Sequence, residues 1–298
     1  MIIMNRKLQF FGFLLGVLLM MSITSGVAIG TSQASSDNVQ VSTGNLVVKV
    51  TGGSNVPMYT FWNVNNNATK YKVQFSQVFE AIDNPNSGTN GSYDLGTDTK
   101  VAGAPVSLSA LSWTFSNVSN DNNGNVNFNL TSSDGTFQFR NHLTANNLNS
   151  MKFDVLINNY QFKSNESMLV LAFKVLVNSN STDRAPSTQK DNSSSVGFSN
   201  GYFQSAGQAN AGNHTVQTGL STGSDNGAMI YLAYQNFNGT NLVHDPTLGV
   251  QASASNPTDT SSGTGPALAS ASGTAGLNFL FLSAMAIFVP VAIYRNRQ

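Results

Sequence analysis

Apolar and polar residues alternate with a period of two along much of the stretch from 38 to 250, and that rhythm admits few folds. Val126, Phe128 and Leu130 alternate with Asn127 and Asn129, Phe137 and Phe139 repeat the pattern, and Met151, Phe153, Val155 and Ile157 extend it. Successive side chains of a strand point to opposite faces, so such a sequence sets one apolar face on a core and gives the other to water. Residues 168–177 form instead a continuous apolar run with only Lys174 charged. That is the pattern of a central strand buried on both faces. Further strands are predicted over 46–51, 71–82, 111–117 and 229–235. Asp121-Asn-Asn-Gly124, Ser133-Asp-Gly135 and an Asn-Gly pair within 236–241 separate them. These residues accept positive φ in tight hairpins. No intervening stretch shows helical periodicity with caps. The expectation is an all-β domain over 35–250, a two-sheet antiparallel β-sandwich of jelly-roll or Ig-like type. Residues 178–195 read as a long exposed loop or as a boundary between two halves, with one domain preferred.

The two ends set the expected topology. Arg6 and Lys7 precede an apolar run from Phe10 to Ile23, and Ser32 and Ala34 flank a cut before Ser35. This is the three-part pattern of a secretory signal peptide over 1–34. A cut after Ala28 is the alternative site, and an uncleaved signal anchor the rival reading. At the other end, Leu277 to Tyr294 is apolar and uncharged, and Arg295 and Arg297 follow at once. At about 1.5 Å per residue it comes close to the ~30 Å hydrocarbon core of a bilayer. A transmembrane helix is therefore expected over 276–294, with a cytoplasmic tail over 295–298 by the positive-inside rule. A sorting signal removed on transfer to another anchor competes with this. Residues 251–275, nearly all Ser, Gly, Thr, Ala and Pro, read as a flexible stalk. The membrane is thus one expected partner, and 35–250 becomes an ectodomain outside the cell.

Composition removes several classes of function. Charged residues make up 9% of the chain and the formal net charge is zero. No Lys/Arg cluster suggests nucleic acid as a partner. There is no cysteine, which excludes disulfides, Cys-zinc sites and thiol catalysis. His142, His214 and His244 have no local metal-ligand spacing, so no metal and no cofactor is expected. His244-Asp245-Pro246 reads as a turn, because Asp before Pro initiates turns. Residues 120–124 resemble the start of a calcium loop but lack its carboxylates, and position twelve is Leu130.

The chain has two glutamates, Glu80 and Glu166. Glu80 lies between Phe79 and Ala81, and Asp154 sits inside an apolar strand. Alternation aims both away from the core, so the bland reading is a pair of outward-facing carboxylates. The sharper reading is a ligand-binding sheet face on which Glu80 or Asp154 accepts sugar hydroxyls beside Tyr71, Trp113 or Tyr160. Trp113 reads equally as a core filler. No catalytic set emerges. Asn67, Asn117, Asn129, Asn165 and Asn213 head Asn-X-Ser/Thr acceptors for glycosylation, in a number that chance alone would supply.

Several segments share a look: Tyr71-Lys-Val-Gln-Phe75 leading to Phe79-Glu80, Leu111-Ser-Trp-Thr-Phe115, Lys152-Phe-Asp-Val155 with Asn159-Tyr160, and His244-Asp-Pro-Thr-Leu-Gly-Val250. Over 45–250 they resemble uncharacterised archaeal cell-surface proteins of the Asgard type, with a signal peptide, β-rich ectodomain and C-terminal transmembrane anchor. The resemblance implies a location and no activity. The functional expectation is a non-enzymatic surface protein for adhesion, envelope structure or ligand recognition, with surface glycans or other surface proteins as partners. A carbohydrate-binding module or carbohydrate-active enzyme is the alternative.

Overall fold

The computed structural model describes residues 31–251 apart from 36, 55, 87–90, 146–148, 180–181, 193 and 225–227. The expected signal peptide up to residue 30, most of the stalk, the membrane helix and the tail lie outside the described residues. Within them the chain is all β.

β1 (Thr31–Ala34), β2 (Asn38–Thr43), β3 (Leu46–Thr51), β4 (Met58–Asn63) and the long β5 (Asn66–Ile82) form an antiparallel meander. Two short segments, β6 (Thr99–Lys100) and β7 (Val106–Ser107), return to the far half of β5. A second meander follows, from β8 (Trp113–Asn120) through β9 (Val126–Ser132) and β10 (Phe137–Leu143) to β11 (Ser150–Ile157). β12 (Ser167–Ser179) then pairs back along β5 and turns into a short hairpin with β13 (Thr182–Arg184). β14 (Thr188–Asn192), β15 (Ser195–Phe198) and β16 (Gly201–Gln204) form a third meander. The stretch 178–195, expected to be a long loop or a boundary between two halves, thus holds β13 and β14.

β17 (Gln208–Ala211) pairs with the first part of β18 (His214–Gly223), whose second part pairs with β19 (Ala228–Tyr234). β19 closes on β12. β20 (Leu242–His244) and β21 (Thr247–Val250) both lie against β11, and reach β17 and β16 on their other side. All these strands belong to one antiparallel network, and β18 links its two parts.

The hairpins form where their residues allow. Asp121 Oδ1 accepts from the N–H groups of Asn123 and Asn125 at 2.9 and 2.8 Å, and Gly124 sits at φ 76°. Gly135 does the same at φ 73° ahead of β10. Without a Cβ, glycine takes that backbone conformation at no steric cost.

The main core lies where the two meanders face each other. Tyr59 of β4 meets Phe153 of β11 at 5.3 Å between ring centroids, and Phe75 of β5 meets Phe139 of β10 at 4.5 Å. Asn141 crosses the same interface fully buried. It accepts from Tyr59 Oη at 2.7 Å and donates to the Phe128 and Phe139 carbonyls at 3.3 and 3.2 Å. Both its N–H groups and its oxygen are thereby partnered, which lets an amide sit in an aromatic core at little cost.

β12 is buried on both faces, as its apolar run requires. Leu169, Leu171, Phe173 and Val175 join the main core. Met168, Val170 and Ala172 join a second cluster on the opposite face with Phe79, Tyr93 and Tyr231. The cover of that second cluster is the loop between β5 and β6. Its Tyr93 packs edge-on against Phe79 and Tyr231 at 5.0 and 4.9 Å. Asp98 ties the loop together by accepting from the N–H groups of Asn84 and Asp94 at 3.1 and 2.7 Å. Ser221 donates to the Tyr93 carbonyl. Gly219 lets the loop approach, since a Cβ there would run into the Gly91 carbonyl and lie 2.5 Å from Ser92 Cα.

Candidate functional site

Glu80 does not face water. β5 and β12 are in register up to Phe75–Phe173 and resume at Gln77–Ala172, so Ser76 is an extra residue whose hydroxyl donates to the Ala172 carbonyl at 2.9 Å. A one-residue bulge reverses which side chains face the core. Tyr71, Val73 and Phe75 point into the main core before it, and Val78 after it. Glu80 follows Val78 inward and is 0% exposed.

There its carboxylate accepts from the N–H groups of Lys163 at 2.9 and 3.0 Å and of Ser164 at 3.2 Å. Ser167 Oγ donates at 2.7 Å and Tyr160 Oη at 3.3 Å. Burial and the Glu80 charge together push the Tyr160 hydroxyl well above its ordinary pKa. The carboxylate therefore gathers the segment between β11 and β12 and fixes it to the end of β5. Such an anion, met by donors on all sides, has no lone pair free for a substrate proton.

Trp113 is 2% exposed, stacks on Phe139 at 5.6 Å and donates Nε1–H to the Leu108 carbonyl at 3.0 Å. It fills the core. Tyr71 and Tyr160 are also buried. Asp154 does point outward, on β11, where its carboxylate lies 3.2 Å from Nε2 of His142. The other ring nitrogen faces Asn127 Oδ1 at 2.9 Å. The structure thus joins Glu80 with Tyr160, seals both, and leaves Trp113 and Asp154 apart from them.

His244, 2% exposed, has a serine beside it but no catalytic geometry. Its Nε2 lies 3.1 Å from the Ala206 carbonyl, which can only accept, so the proton sits on Nε2. Nδ1 then accepts from Tyr234 Oη at 3.3 Å. Ser205 Oγ, 3.3 Å from Nε2, meets a donor and turns its own proton to the Ala206 carbonyl at 3.0 Å. The ring cannot act as base toward that serine. Burial holds the His244 pKa below its ordinary value. Among the described residues no group of His, Asp or Glu is arranged to hold a metal ion.

An open groove of about 650 Å³ lies beside the Glu80-bound segment. Asp83, Asn165, Glu166, Gln217, Gln235 and Asn236 line it, over Met168. Amides and carboxylates of this kind can exchange hydrogen bonds with hydroxyl-rich ligands. Sequence reasoning missed this groove, because its walls come from the segments just after β5, just before β12 and just after β19, together with β18, and no local motif marks it.

Of the glycosylation candidates, Asn67 is exposed at the start of β5, Asn213 at the turn between β17 and β18, and Asn165 on the groove rim. Asn129 is half-buried on β9 opposite Arg140, and the side chain of Asn117 lies outside what the structure describes. Compared with known protein families and with curated proteins, the chain matches none.

Proposed function

We propose that residues 35–250 form a two-sheet β-sandwich displayed outside a cell, serving recognition, adhesion or envelope structure rather than catalysis. The supporting observation is the fate of the reactive side chains. Glu80, Tyr160, Trp113 and His244 are all buried in structural hydrogen bonds and packing. The outer surface carries mostly amides and hydroxyls instead. The bond from Tyr59 to Asn141 and the ring contacts between the two meanders support the sandwich. In this reading the 276–294 helix anchors the chain and the 251–275 stalk holds the sandwich away from the bilayer. The pairing of Thr31–Ala34 with β2 favours signal-peptide cleavage after Ala28, which keeps β1, over a cut before Ser35.

The test is topological. With an epitope tag after Gln298, protease added to intact cells should release the ectodomain and leave the tag protected. Digestion of the tag on intact cells, or recovery of the whole chain from the cytosol, would overturn the reading. A second reading, a carbohydrate-binding module, is favoured by the polar groove alone. A glycan array probed with the full chain and with Gln235→Ala distinguishes it, since groove binding must weaken in the variant.

A further inference from the structure

The loop that carries Tyr93 covers one half of the outer face of the β5–β12–β19 sheet, and among the described residues no such loop covers the other half. On that second half the outward positions of β3, β4, β5 and β12 hold Lys49, Trp62, Lys70, Lys72 and Lys174. Register places them together. Lys49 pairs with Thr60 and Thr60 with Lys72, so two ammonium groups flank one threonine in a single cross-strand row. Lys70 lies one outward step along β5 from Lys72, and Lys174 pairs with Gln74, one step the other way. Neighbouring strands are ~4.8 Å apart and outward residues recur every ~6.8 Å, so the Cα atoms of the other three lysines lie within about 10 Å of that of Lys72.

The charge there is one-sided. β2, β3, β4 and β12 contain no acidic residue, and the Glu80 of β5 is on the opposite face. Among the described side chains Asp183 of β13 is the carboxylate that meets this strip, pairing with Lys72 at 2.7 Å. In a chain with 14 basic residues altogether, four on one strip of sheet is a marked concentration. Trp62 adds a half-buried indole, with the Lys70 ammonium 4.7 Å from its ring centre. The indole holds that cation beside an apolar plate.

We propose that this face binds an anionic polysaccharide, a linear chain of uronic acid residues, across β3, β4, β5 and β12. An acid sugar offers the two chemistries the face requires: a carboxylate for the ammonium groups and an apolar C–H face for the indole. A flat strip of strands suits an extended chain better than a pocket ligand. The proposal deepens the reading of a displayed recognition module by naming its partner, and it rests on that reading only for where the partner is met.

The experiment titrates full chain, purified in neutral detergent, with polygalacturonate, with a neutral galactan and with vesicles of phosphatidylglycerol. Binding is expected for the polyuronate alone, weakening about tenfold as salt rises from about 50 to about 200 mM, as release of roughly two counterions requires. Lys49→Gln with Lys174→Gln should weaken it at least tenfold, and Trp62→Ala about tenfold, with thermal melts unchanged. Equal binding to the galactan, no binding to polygalacturonate, or vesicle binding indifferent to Trp62→Ala would each overturn the proposal. None of these outcomes depends on which side of a membrane the chain occupies, so failure here is distinct from failure of the topology test.

Discussion

One sheet face carries two contrasting halves. Over the β12 residues Met168 to Ala172 it is apolar, and a loop brings Tyr93 down onto Phe79 and Tyr231 to seal it. Over Lys174 and beyond it is basic, and among the described residues nothing comparable closes it. The Ser76 bulge divides the two, turning Phe79 outward into the sealed half and Glu80 inward. An apolar half must be covered within the chain, because exposed apolar patches of that size invite association. A half studded with lysines tolerates water and stays available to a partner. Proximity to the covering loop, rather than strand position, decides which half is sealed and which is left for the proposed ligand.

Breaking the sealed end should have the largest effect. Glu80→Ala strands the buried donors of Tyr160, Lys163, Ser164 and Ser167, and should cost about 4 kcal/mol in denaturant unfolding. Tyr93→Ala should cost about 3 kcal/mol and create binding of a hydrophobic dye, because Phe79 and Tyr231 lose their cover. Gly219→Ala drives a methyl group into the loop backbone and should cost about 2 kcal/mol. On the open half, Lys72→Ala removes a solvent-exposed ion pair with Asp183 and should shift stability by less than about 0.5 kcal/mol.

Acid supplies a further check. Burial lowers the His244 pKa, so the unfolded chain takes up a proton before the folded chain does. That contribution is absent above the ordinary value of 6.5 and turns against the fold as pH drops below it. Thermal melts should show stability falling with acidification through that window, and His244→Gln should flatten the fall. The Asp183 carboxyl, held below its ordinary range by the Lys72 hydrogen bond, acts at lower pH. Its contribution is present above the ordinary carboxylate value and fades as pH falls through the folded one.

The strand pattern was legible because period two survives wherever one face meets the core and the other meets water. β9, β10 and β11 lie where Val126, Phe139 and Phe153 announced them. Asn141 was legible in principle, since it keeps the parity of Phe137, Phe139 and Leu143, yet an amide at an inward position reads as outward when polarity alone is scored. Glu80 was read outward for a different reason. Its direction depends on Ser76 being skipped by β12, and a bulge leaves no mark in a sequence where Ser, Gln and Val are all ordinary strand residues. The basic face escaped notice because Lys49, Lys70, Lys72 and Lys174 are spread over 126 positions and meet only through register.

Amine labelling read by mass spectrometry tests the division of labour between the two halves most directly. In the free full chain Lys49, Lys70, Lys72, Lys174, and Lys152 of β11 and Lys190 of β14 should all react. With polygalacturonate present the first four should be protected and Lys152 and Lys190 unchanged. Protection spread evenly over all six, or confined to Lys152 and Lys190, would contradict the account.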